Sequence, residues 1–442
     1  MKLNNKGFTI SGIIYALVFL FVILVFAILG LLGSRKVVLD KYKQDVINDI
    51  EGNNNIINIG KIDRSGASAP VLASSMIPII YNGENIVKAE YISEYDQNWY
   101  NYEDKKWANS VIIKEEYKEQ YNDITAGTVI NKDHVLAYYV WIPRYKYKLF
   151  NADYDNLVST PQLIDIAFEN TEVVKSINNS NGEYLTHPAF TFDNTEVSGF
   201  WIGKFETTGS IGSISVLPNS IPITNYSVKE MYEATKNAAS SFGITSSDLH
   251  MLKNSEWAAV AYLSHSMYGQ GNVEIAKNSY NNNGKKTGCG SGSTNTTITC
   301  EASFGSSLNY YQSTTGNIYG VFDMSGGADE YLMSVMLYTD NNVLYSESGF
   351  DSMTMPNSKY YDTYMYGEDS SNVNTYRRGP LGSATKENWG WYQDEALLVD
   401  LTGTWQCRGG NSTDTTNAGI FAFKKSDGSA SQDISFRTAI IE

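Results

Sequence analysis

Three cysteines, four histidines and nine prolines are all that this 442-residue chain has of those residue types, and each scarcity closes a class of function. The histidines, His134, His187, His250 and His265, form no H-x-x-x-H or H-E-x-x-H pair, so the helix-borne zinc-hydrolase pattern is missing. No G-x-S-x-G nucleophile turn occurs. The glycine-rich "GCGSGS" from Gly288 has no lysine after it and no helix to follow, so it is not a phosphate loop. Positive charge is short as well. Lys+Arg number 33 against 48 Asp+Glu, and beyond residue 52 the balance is 27 against 44. An acidic body of that kind repels nucleic acid and anionic lipid headgroups, and no nucleic-acid partner is expected. The acidic residues are scattered and nominate no acid–base pair.

What is present begins with "KGFTISGIIYALVFLFVILVFAILGLLGSRK", Lys6 to Lys36. Its uncharged core runs from Phe8 to Ser34, 27 residues, which as a helix is about 40 Å long and enough to cross a bilayer. No small-residue cleavage site follows it, unlike a secretory signal. The short basic leader "MKLNNKG" before "FTISG" resembles a type IV prepilin leader. The resemblance implies cutting by a prepilin peptidase between Gly7 and Phe8, and a helix that stays in a bacterial membrane or joins other pilins. Gly12 stands where that family usually carries glutamate, the carboxylate that helps subunits enter a filament.

Further along, "EGNNNIINIGKIDRSGASAP" is loop chemistry, and short β-branched and aromatic runs then alternate with turn signals. The expected organisation is a leader at 1–7, a transmembrane pilin-like helix at 8–52, a linker at 53–69, a small β module at 70–114, a linker at 115–133 and a large unit at 134–442. Two helices are expected in that unit. "SVKEMYEATKNAASSFG" sets Met231, Ala234, Ala238 and Phe242 on one face and stops at Gly243. "NSEWAAVAYLSHS" has Asn254 as N-cap, Glu256 in the first turn, and Trp257, Val260 and Ala261 facing a core. Cys289 and Cys300 bracket a polar loop that a disulfide would restrain outside the cytoplasm, and Cys407 is expected to be a small buried residue.

Four stretches occur in order: "GFWIGKFETT", "LKNSEWAAVAYLS", "GNIYGVFDMSGGADEYLM" and "CRGGNSTDTTNAGIFAF…SFRTAII". Together they resemble the formylglycine-generating, or sulfatase-modifying-factor-like, family. That resemblance implies an α+β, C-type-lectin-like fold over 134–442. Enzymes of the family use paired cysteines holding copper shortly after the RGG-like turn; here that window has none, so neither copper nor catalysis is expected. The loop "DMSGGADE" matches one that wraps calcium, which implies Asp323 and Glu330 as carboxylate ligands and Gly326 and Ala328 as carbonyl ligands. Asp329 stands where the family usually has tryptophan.

Lectin-like relatives that bind ligands, including targets of diversity-generating retroelements, use their last forty or so residues as a variable face. On this chain that implies a face with Asn411, Thr413, Asp414, Thr416 and Asn417 as polar positions and Trp405, Phe421 and Phe423 as anchors, with Trp389, Trp391 and Tyr392 beside them. The expected function is a cell-surface or pilus-associated adhesin or receptor for an extracellular glycan or protein. A formylglycine-type oxidoreductase and a structural minor pilin are the alternatives.

Overall fold

A computed structural model describes residues 62–148, 163–169, 184–278, 287–290, 303–338, 342–365, 382–388 and 391–442. The leader cut at Gly7 and Phe8, the apolar segment 8–34, Cys300 and Trp389 lie outside the described residues. No helix among the described residues is long and apolar enough to cross a membrane. Gly60–Glu442 forms one compact unit. It is a mixed α+β fold, mostly strands in antiparallel sheets with few helices.

In chain order the strands used below start with β1 (Met76–Asn82), β2 (Asn85–Lys88), β3 (Asn109–Ile113), β4 (Val129–Ile130), β5 (Val135–Pro143), β6 (Gly199–Gly203) and β7 (Asp248–Met251). A second set follows: β8 (Asp329–Leu337), β9 (Asp362–Met365), β10 (Trp405–Gly409), β11 (Gly419–Ser426) and β12 (Ile434–Phe436). The last strand, β13 (Thr438–Ile441), returns to the first set. The larger sheet has the order β7-β13-β6-β5-β3-β1-β2-β4, all antiparallel. The smaller has the order β9-β8-β10-β11, with β12 also pairing β8.

One expectation changes here. Residues 70–114 do not stand apart as a module: β3 pairs β5 in register Asn109↔Val140 to Ile112↔Ala137, so both regions share one sheet. The cause is burial. All five residues of β3 are buried, as are Trp99 and Trp107 before it, and surfaces of that size need cover from both sides.

Helix α1 (Val228–Asn237) is amphipathic, with Met231 and Ala234 buried. Ser227 and Glu230 close a capping box at its start, and a short turn of helix, Ala239–Phe242, ends on Gly243 at φ 70°. Helix α2 (Asn254–Ser264) is buried on every face. Its start lies one residue earlier than expected: Lys253 is the N-cap, and its N–H donates to Glu256 at 2.8 Å. Asn254 turns inward instead. Its amide oxygen accepts from Arg408 Nε at 2.8 Å, which fixes α2 to β10.

Candidate functional site

Strand β10 contributes Trp405, Gln406, Cys407 and Arg408, all buried. Trp405 stacks on Phe350 at 5.7 Å, and Trp257 donates from its indole to Ile420 O at 2.8 Å. Phe421 and Phe423 on β11 are equally buried, and so is Trp391. The expected anchors Trp391, Trp405, Phe421 and Phe423 are therefore core side chains, not contact groups. Strands with both faces covered hide their aromatics, and a strand sequence does not reveal how many faces are covered. Tyr392 is different: it is 40% exposed and sits at φ 48°.

After β10 the chain must reverse. Gly409 and Gly410 have φ of 87° and 70°, and a Cβ on Gly410 would meet Ala418 Cα at 2.6 Å. This is the physical need behind the two glycines of "CRGG". The loop 411–417 then emerges with Thr413, Thr416 and Asn417 exposed.

The loop is tied from within and from behind. Asn411 Oδ1 accepts from Thr413 N at 2.8 Å, and Asp414 Oδ2 accepts from Asn411 N at 2.7 Å. Asn411 Nδ2 donates to Asp329 Oδ2 at 2.9 Å. Lys424 pairs with Asp414, with Asp329 at 3.2 Å and with Glu395 at 3.5 Å. Burial pushes the Asp329 carboxyl up to about 6, against the pull of Lys424. Asp329 is thus the residue that holds the polar loop. Tyr392 joins the same neighbourhood through Lys277, whose ammonium donates to Tyr392 O at 2.9 Å and pairs with Asp394. Glu395 N donates to Asn417 O at 2.9 Å. Asn411, Thr413, Asp414, Thr416, Asn417 and Tyr392 are brought together; Trp391, Trp405, Phe421 and Phe423 are not presented.

Sequence reasoning missed what lies beneath. Trp391 Nε1 donates to Glu274 Oε2 at 3.0 Å, and His265 Nε2 lies 3.9 Å from the same oxygen. Burial, reinforced by the charge of Asp394, raises the Glu274 carboxyl to about 8, and burial lowers His265 to about 4. His265 caps the end of α2 and takes its place there as a neutral packed ring. Nothing in the local sequence of Glu274 signals this group.

The loop expected to wrap calcium has its donors otherwise engaged. Both oxygens of Glu330 are engaged by Arg437, at 3.0 Å to Nε and 2.5 Å to Nη2, with all of these groups buried. Asp323 Oδ1 accepts from Gly290 N at 2.6 Å, and Glu206 Oε1 accepts from Ala328 N at 2.7 Å. A guanidinium occupies the place of a divalent cation around Glu330. Among the described residues no group of three or more His, Cys, Asp or Glu is arranged for a metal ion. The residues of "DMSGGADE" do not fit a calcium cage with Glu330 so held.

Cys289 is disulfide-bonded, and Cys407 is a free, buried thiol that burial pushes well above its ordinary value. No family model matches the chain, and no curated protein matches it.

Proposed function

We propose that Gly60–Glu442 is a C-type-lectin-like recognition domain of the sulfatase-modifying-factor type, displayed outside a bacterial cell by a pilin-like N-terminal helix. Its work is non-covalent binding of an extracellular glycan or protein. The observation that carries this reading is the loop 411–417: exposed polar side chains on a backbone fixed by Asp329 and Lys424. Such a surface binds with little ordering cost, because its geometry is set before the ligand arrives. An oxidoreductase reading would have to use Cys407, and a buried thiol held protonated is a poor nucleophile. The ligand would meet Thr413, Thr416, Asn417 and Tyr392 at the surface, while Asn411 and Asp414 shape the turn.

The test screens the full-length chain on arrays of glycans and extracellular proteins. The triple change Thr413→Ala, Thr416→Ala, Asn417→Ala is expected to abolish a specific signal without altering the unfolding midpoint. A signal untouched by that change would sink the reading. Sequencing codons 405–437 across a population of source cells refines it. Replacements confined to Thr413, Thr416 and Asn417 would mark a diversified receptor, and an invariant stretch a fixed ligand.

A further inference from the structure

A cleft of about 880 Å³ lies elsewhere in the same unit and shares no lining residue with the loop 411–417. Its volume is within the range of about 300–1,000 Å³ usual for small-molecule sites. Tyr81 at the end of β1, Tyr138 on β5, and Phe304 and Tyr310 supply aromatic surface, and Leu217 and Pro218 supply aliphatic surface.

The rings are already fixed. Tyr81 and Phe304 pack edge to face with centroids 6.4 Å apart, and Phe304 is held against Phe205 at 4.9 Å and Phe322 at 5.1 Å. Asn219, at φ 55°, clamps the backbone of Phe304: its amide oxygen accepts from Phe304 N at 2.9 Å and its amide nitrogen donates to Phe304 O at 3.4 Å. A ligand would therefore meet walls that need no ordering.

Beneath the rings sits Lys204, fully buried. Its ammonium donates to Asn109 Oδ1 at 2.7 Å, Ile318 O at 2.6 Å and Gly320 O at 2.9 Å. It also lies 5.3 Å from the Tyr81 ring centre, 5.9 Å from Phe304 and 5.4 Å from Phe322. Burial holds the Lys204 amine well below its ordinary value, and its donors are directed to those three oxygen acceptors. At the rim Lys114 and Lys132 stand against Glu84 and Asp133, an even balance that draws in neither a cation nor a polyanion. What suits fixed rings and a balanced polar rim is a neutral molecule with apolar faces and hydroxyl edges.

We propose that this cleft binds a neutral saccharide, its C–H faces on Tyr81, Phe304 and Tyr310 and its hydroxyls toward Glu84, Lys132 and Asp133. The site is independent of the face formed by the loop 411–417 and stands or falls separately from it.

The test uses the full-length chain in a detergent without a sugar headgroup. Saturation-transfer NMR is run with cellobiose, chitobiose, maltose and lactose, and with choline and adenosine as contrasting probes. At least one disaccharide is expected to receive saturation on its ring protons. Ser220→Trp, which fills the cleft from its rim, should remove that signal. Tyr310→Ala should weaken affinity by about tenfold, the scale of one aromatic contact. Met353→Ala, at an exposed residue outside the cleft, should leave it unchanged. The proposal is overturned if no disaccharide binds, if binding survives Ser220→Trp in a protein with an unshifted unfolding midpoint, if Met353→Ala abolishes it, or if only choline or adenosine binds. Should Ser220→Trp fail to fold, Tyr310→Ala decides alone.

Discussion

Strand β10 and the loop that follows it are neighbours in sequence and opposites in environment. From Trp405 to Gly410 every residue is buried, whereas Thr413, Thr416 and Asn417, a few positions on, are exposed. The strand is held by ties to other elements: Arg408 bonds to Asn254 on α2 and to Ser383 O and Ala384 O, while Trp405 packs on Phe350. The loop is held by short polar ties to Asp329 and Lys424, leaving its outer side chains without a packing duty. Residues of the first kind carry stability, and residues of the second kind are available for contact. The difference is one of coverage, not of residue type, since buried Gln406 and Arg408 are as polar as the exposed threonines.

The strongest way to break the buried half is at Arg437. Arg437→Leu leaves the carboxylate of Glu330 buried without its partner, and the expected loss is about 3–5 kcal/mol in denaturant unfolding. Replacing both, Arg437→Leu with Glu330→Leu, should recover most of it, because no lone charge then remains. A small effect of the single change would mean that a cation or water already balances Glu330.

Glu274 belongs to the buried half, against Trp391 and His265. Its folded pKa is raised from 4.5 to about 8. Folding therefore takes up a proton between those values, and the resulting stability is full below about 4.5 and lost as pH rises through about 8. The unfolding midpoint should fall between about pH 4.5 and about pH 8 in the native chain and level off above that, and Glu274→Gln should flatten the fall. An unchanged slope in the variant would remove Glu274 as its source.

The smallest expected effect belongs to the exposed positions. Thr416→Ala or Asn417→Ala should alter stability by no more than about 0.5 kcal/mol, as is usual for surface sites away from buried networks. A larger loss by thermal or denaturant unfolding would move these residues from the contact set to the supporting set.

Much of this was legible in the chain. The two glycines of "CRGG" announced a tight reversal, which their φ values provide. The 3.6-residue spacing of Met231, Ala234 and Ala238 announced the buried face of α1. The uneven polarity after Gly410 announced an exposed loop. Less legible was the role of each aromatic: Trp391, Trp405, Phe421 and Phe423 read equally well as anchors or as core, since hydrophobic residues satisfy both. The cleft walled by Tyr81, Tyr138 and Phe304 joins positions more than two hundred residues apart, and no local pattern marks such a meeting.

By itself the sequence determined the turns, the helix faces, the acidic balance and the polar character of the loop 411–417, because these depend on side-chain volume, φ preference and charge within a few residues. Only the tertiary structure decided that residues 76–130 share a sheet with 135–143, that Asp329 and Lys424 hold the loop, and that Arg437 stands against Glu330. Those outcomes depend on which distant groups are driven into one low-dielectric interior, where an unpaired charge is costly and a partner must be found wherever the fold supplies one.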